Sequence, residues 1–266
     1  MGQAITMSAD WLATVVLLSL RLAAVFLFTP LLAESSVPAV VRVLVVLGLS
    51  VGLAMGIPSG LVGAPAPVQV LSSPGAMIQA ALFELSLGGT LALGILLAFA
   101  CFSIAGDLLG VQMSIGMGQL LDPITNRHQS VVTAAFNQLA IVVFFLVGGH
   151  HALLRGLAFS LERFPLGQPW PLEAAVGPML VQVMGLFTLA FALAVPVVFC
   201  LLMVEVALGV VARNMPQMNM IAMGIPVKIV VGLVALSLWF GGMGDAMGRV
   251  YGSIYRTWDA IFAGGA

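Results

Sequence analysis

Charge is what this 266-residue chain has least of: 7% of its residues are charged and 61% are hydrophobic, with a mean hydropathy of +1.17. Soluble domains carry about 25% charged residues, so a soluble globular fold is excluded and an integral membrane protein is indicated. The net charge of -1 excludes a basic surface for nucleic acid or for an acidic partner. Only two cysteines are present, Cys101 and Cys200, both inside apolar runs. They read as small hydrophobes, not as a disulfide framework or a metal site. No basic residue precedes Arg21, so the N-terminus does not resemble a cleaved signal peptide, and the first apolar segment is expected to stay in the mature protein. The metalloprotease signature His-Glu-x-x-His is missing as well. His150 and His151 are adjacent, so they do not share a helix face, and no carboxylate lies at ligand spacing. No metal, cofactor or enzyme activity is expected.

What is present is apolar length. About six apolar segments predict an all-α, membrane-type protein of helical hairpins. They cover about Trp11–Ala33, Ala39–Ile57, Gly75–Gly106, Val131–Val147, Met179–Leu208 and Met220–Gly241. The third and fifth, at about 48 and 45 Å if helical, exceed the ~30 Å hydrocarbon core. Such helices must tilt, bend or stand out of the bilayer. Pro58 to Pro74 reads as a loop, and Gly148 to Pro178 as a mixed polar region. The tail from Asp245 to Phe262 reads as an interfacial or solvent-exposed helix. Arg21 and Glu84 fall inside apolar segments and need protein or water around them. The positive-inside rule places Arg42, Arg127 and Arg213 against Arg155, Arg163, Arg249 and Arg256, which assigns no orientation.

One stretch interrupts the pattern: Gly106 to Pro123, framed by Asp107 and Asp122. Its glycines permit close approach and bending, its methionines fill irregular gaps, and Asp122-Pro123 stops a helix. An apolar but broken segment lines or plugs a cavity within protein; it does not face lipid. The competing reading is an ordinary interhelical loop with a Met-rich packing face.

Three pieces together resemble one family. They are Pro30-Leu31-Leu32 with Glu34-Ser35-Ser36-Val37-Pro38 and Arg42, then Gly110-Val111-Gln112-Met113-Ser114 leading to Asp122-Pro123. The third is Arg213 with Pro216-Gln217-Met218-Asn219 and Gly224-Ile225-Pro226-Val227-Lys228. In this order they resemble the FliR/SctT family of type III secretion, with the last hairpin closer to its flagellar branch.

The resemblance implies an export-gate subunit of the bacterial inner membrane, at the flagellar basal body. One such chain joins FliP and FliQ in a hetero-oligomer, with FlhB and FlhA as further partners and unfolded proteins as cargo. Residues 1–177 would be FliP-like, and 178–266 a FliQ-like hairpin plus tail. A channel plug would comprise Gly110, Gln112, Met113, Ser114, Gly116, Met117, Gly118, Gln119, Asp122 and Pro123. The loop departs from the family's bulkier pattern at Ile115-Gly116-Met117-Gly118. The hairpin turn would use Arg213, Pro216, Gln217 and Asn219, and the buried charges Arg21, Glu84, Glu205 and Lys228 would be structural.

Two other readings compete. One is the virulence counterpart, SctT. The other is a small-solute secondary transporter using Arg21, Glu84, Glu205 and Lys228, but its matching broken helices in two repeats are not evident. Glu205 and Lys228 lie equally far from the midpoint between Pro216 and Gln217, so an antiparallel hairpin places acid and base at one height.

Overall fold

The computed structural model describes residues 9–30, 38–56, 73–115, 130–215 and 219–264. Every regular element among them is a helix: α1 (Ala9–Phe28), α2 (Ala39–Gly56), α3 (Pro74–Gln112), α4 (Val131–Leu146), α5 (Gly149–Arg163), α6 (Glu173–Asn214), α7 (Met220–Phe240) and α8 (Gly244–Gly264). The all-α, membrane-type architecture is therefore the observed one. Three helices are long and apolar enough to cross a membrane: α3, α6 and the Ala222–Phe240 part of α7. A fourth span results if the bent pair α4 and α5 is one. The apolar parts of α1 and α2 are shorter, Trp11–Leu27 and Ala39–Met55.

Several boundaries differ from expectation, each for a local reason. The third segment does not end near Gly106 but continues to Gln112. Gly106 and Gly110 are four apart and share a helix face, so they serve close packing and not a break. The fifth segment extends at both ends, from Glu173 to Asn214, with Glu173 in its first turn and Arg213 in its last, where each complements the helix dipole. At 39 and 42 residues, α3 and α6 are about 58 and 63 Å long. The mixed polar region contains a full helix, α5, entered through Gly148 at φ +73°, a left-handed conformation that glycine tolerates. The tail is helical but not merely interfacial: Val250, Tyr251, Ile254, Trp258, Ile261 and Phe262 are all buried.

The contacts sort into two compact units. The first takes the chain up to Leu96, Gly148–Gln182 and Ile254 onward. Its core is Leu18, Leu22 and Val25 of α1, Leu87, Leu91 and Ile95 of α3, Leu153 and Leu157 of α5, and Trp258 and Ile261 of α8. Gly88 admits α1: a Cβ there would lie 2.6 Å from the Arg21 carbonyl oxygen. Trp258 sits against Gly156, where a Cβ would fall 2.5 Å from its ring, and donates from Nε1 to the Leu91 carbonyl at 3.3 Å.

The second unit takes Leu97–Val147 and Val183–Ser253. Its aromatic cluster joins Phe99 and Phe102 of α3, Phe144 of α4 and Tyr251 of α8, with ring centroids 5.6–6.0 Å apart. The Tyr251 hydroxyl is satisfied by the Ala140 carbonyl, as a buried phenol requires. Trp239 of α7 donates to the Leu193 carbonyl of α6 at 3.0 Å, tying that hairpin together.

Candidate functional site

The end of α3 is built by a specific backbone device. Ser114 has φ +60°, its N–H donates to the Val111 carbonyl at 3.0 Å, and the Ile115 N–H donates to the Gly110 carbonyl at 3.1 Å. These paired bonds are a Schellman cap, which satisfies helix carbonyls left without intrahelical partners. Its left-handed position is normally glycine's; Ser114 occupies it.

The chain re-enters at Ser130, the N-cap of α4, whose Oγ accepts the Thr133 N–H at 3.0 Å. Thr133 Oγ1 donates to Asp107 Oδ1 of α3 at 2.5 Å. The approach of α3 and α4 depends on two glycines. A Cβ on Gly106 would lie 2.7 Å from Thr133 Cα, and one on Gly110 would lie 2.5 Å from Ser130 Oγ. One face of α3 thus carries both glycines and the aspartate, and it clasps the start of α4. Ser103 adds a hydrogen bond to Asn137 Oδ1 at 2.7 Å.

Of the expected plug residues, Gly110 and Gln112 lie inside α3, and Met113 and Ser114 form its cap. Met113 is fully buried, and its thioether fills the notch at Gly232 of α7, where a Cβ would sit 2.8 Å from Met113 Cε. Gln112 Nε2 is buried with no hydrogen-bond partner among the described residues. Gly116, Met117, Gly118, Gln119, Asp122 and Pro123 lie outside the described residues.

The α6–α7 hairpin brings the second pair of charges together: Lys228 Nζ donates to Glu205 Oε1. Both side chains are partly exposed, Lys228 at 18% and Glu205 at 38%. Asn219 caps α7 by accepting the Ala222 N–H at 3.3 Å. Arg213 lies exposed in the last turn of α6. Pro216 and Gln217 lie outside the described residues.

Arg21 and Glu84 meet in the core of the first unit, each 1% exposed. Arg21 Nε donates to Glu84 Oε2 at 2.6 Å and Nη2 to Glu84 Oε1 at 3.1 Å, a two-pronged pair. Nη2 also donates to the Phe164 carbonyl at 3.0 Å, and Nη1 donates to the Ser160 carbonyl and hydroxyl at 3.1 and 3.2 Å. All five guanidinium N–H donors are thereby used. Glu84 Oε1 accepts the Gly167 N–H at 2.8 Å in addition. The guanidinium lies at the carbonyl end of α5, where a cation is favoured. The sequence flagged both charges, but neither the partnership nor the roles of Ser160, Phe164 and Gly167 were legible. Asp107 and Thr133 were likewise missed as a pair, although the Gly106/Gly110 spacing was a signal for them.

No group of three or more His, Cys, Asp or Glu side chains suited to a metal occurs among the described residues. Among the described residues the geometry offers braces, caps and apolar surfaces. Long α3 and α6, with α7, give the chain the build of a membrane-embedded protein. Residues 12–254 match the model of the family described as Bacterial export proteins, family 1, and the chain belongs to that family.

Curated relatives extend the match along most of the chain. The flagellar biosynthetic protein FliR of Bacillus subtilis (strain 168) is 28% identical over 230 residues, covering 85% of this chain and 86% of the relative. FliR of Escherichia coli (strain K12) is 29% identical over 215 residues, 80% and 79% of the two chains. The surface presentation of antigens protein SpaR of Shigella sonnei is 29% identical over 209 residues, 78% and 77%.

Proposed function

We propose that this chain is a core subunit of a bacterial type III protein-export gate in the inner membrane, at the flagellar basal body. One copy assembles with FliP and FliQ, beside FlhB and FlhA, around a path for unfolded protein. Residues 1–177 take a FliP-like place and 178–266 a FliQ-like one. Membership of an export-protein family across residues 12–254, with flagellar biosynthetic proteins among its relatives, supports this reading.

The observation that carries the plug assignment is the clasp between α3 and α4. Asp107–Thr133, with the close approaches at Gly106 and Gly110, holds Ile115 and Ser130 on a fixed base. The intervening segment, which opens with Gly116-Met117-Gly118, suits a seal for the resting channel. The exposed apolar faces of α6 and α7, including Phe187, Phe191, Phe199, Leu233 and Leu238, fit neighbouring subunits or lipid. Deleting residues 116–121 should preserve assembly and raise the passage of ions or small molecules. An assembled deletion variant with unchanged leak would remove the plug assignment.

A second reading, the virulence counterpart, is favoured by the similarity to SpaR of Shigella sonnei. Export of flagellin-type against effector-type cargo separates the two.

A further inference from the structure

We infer that α5 and α8 form a hydrated face of the first unit, in contact with water and not with lipid or an apolar partner. The contrast lies in which side chains each helix leaves outside. Along α6 and α7, large apolar residues are exposed at almost every turn, among them Val181, Met184, Phe199, Val230 and Leu238. Along α8 no large apolar side chain is exposed, and along α5 only Phe159 is.

The same two helices leave charged and polar side chains outside: His151, Arg155 and Glu162 on α5, and Arg256 and Asp259 on α8. The signs are mixed, so this is neither the polybasic face that seeks anionic lipid nor the apolar face that inserts at an interface. The apolar side of α8 is already occupied within the chain. Trp258 fills the Gly156 notch, Arg163 donates to the Phe262 carbonyl at 3.0 Å, and Tyr255 donates to the Gly149 carbonyl at 3.0 Å. With that side used, α8 has only its polar side to offer. The part of α8 in the second unit follows the same rule, with Asp245 and Arg249 exposed and Val250 and Tyr251 buried.

Charged side chains at lipid-facing positions deep in a bilayer are strongly disfavoured. At 21 residues, α8 is about 30 Å long, the thickness of the hydrocarbon core, and its exposed charges run from Asp245 to Asp259. A water-filled passage or the aqueous phase must therefore border it. This conclusion concerns only what touches α5 and α8 and stands apart from the export reading.

The test is thiol labelling of the full-length protein in native membranes. Single cysteines at Arg155→Cys and Asp259→Cys, with Leu233→Cys and Leu238→Cys on α7 as references, are placed on a Cys101→Ala, Cys200→Ser background. A sulfonated, membrane-impermeant maleimide is applied to cells with permeabilised outer envelopes and to inverted inner-membrane vesicles. Because the reactive thiolate forms in water, the α5 and α8 positions should react roughly tenfold faster than the α7 positions in at least one preparation. Reaction no faster than at Leu233→Cys in both preparations overturns the inference. So does labelling that appears only after detergent has dissociated the native membranes, which would mark the face as a subunit interface. Ala260→Cys removes no charge and gives the same reading where a charged position does not accumulate.

Discussion

Lys228 and Glu205 close an ion pair across the α6–α7 hairpin, twenty-three residues apart in sequence. Each sits among apolar neighbours on its own helix, so the pair selects one register of the hairpin, as a single polar position does in a coiled coil. Glu205→Lys or Lys228→Glu alone should lower the accumulation of assembled protein, and the double swap should recover much of it. With both groups partly exposed, the coupling should be on the order of 1 kcal/mol. A double-mutant cycle on assembly yield measures it, and strictly additive losses would separate the two charges.

The Arg21–Glu84 pair is buried and should behave differently. Removing one partner leaves an uncompensated charge in the core, at a cost of about 3–5 kcal/mol. Arg21→Gln and Glu84→Gln should each prevent accumulation of folded protein. Arg21→Lys should rescue poorly, because one ammonium cannot replace five N–H donors directed at Glu84, Ser160 and Phe164. Protease resistance in membranes is the readout. Near-normal resistance of Arg21→Lys would show that charge, not the fork of donors, is what the site requires.

These two pairs show where a sequence is readable. Glu205 and Lys228 were matched because a short turn fixes which residues of a hairpin oppose each other. Arg21 and Glu84 are sixty-three residues apart, and no local rule connects them. The membrane-type, all-helical class was legible from composition and apolar runs. The ends of α3 and α6 were not, because Gly106 reads as a break until Thr133 is known to press against it. Helix α5 was hidden by its polar outer face. For α8, the amphipathic pattern was visible, but what covers Trp258 and Tyr251 depends on tertiary packing.

Glycines of α3 should respond to alanine according to what a Cβ meets. Gly106→Ala places a methyl 2.7 Å from backbone at Thr133, which cannot yield easily. Gly89→Ala meets nothing within 4 Å and should stabilise the helix by roughly 0.5–1 kcal/mol. Gly110→Ala should fall between them, since the Ser130 hydroxyl it meets is a side chain that can move, but only by giving up the Thr133 N–H. Thermal unfolding in detergent orders the three, and a tolerated Gly106→Ala would contradict the clasp.

Ser114 holds a left-handed conformation that costs a non-glycine residue roughly 1–2 kcal/mol. Ser114→Gly should therefore raise stability by about that amount, while the β-branched Ser114→Val should lower it. The same unfolding measurement decides. A destabilising Ser114→Gly would mean the α3 cap is not built around that torsion angle.

The export-gate reading is tested most directly by mass. The chain is co-expressed with the FliP- and FliQ-like proteins of its own organism, purified in mild detergent and weighed by native mass spectrometry. The account predicts a large hetero-oligomer containing one copy of this chain, and aggregation or degradation of the chain when it is expressed alone. A monodisperse, fully helical monomer that recruits neither partner would contradict it.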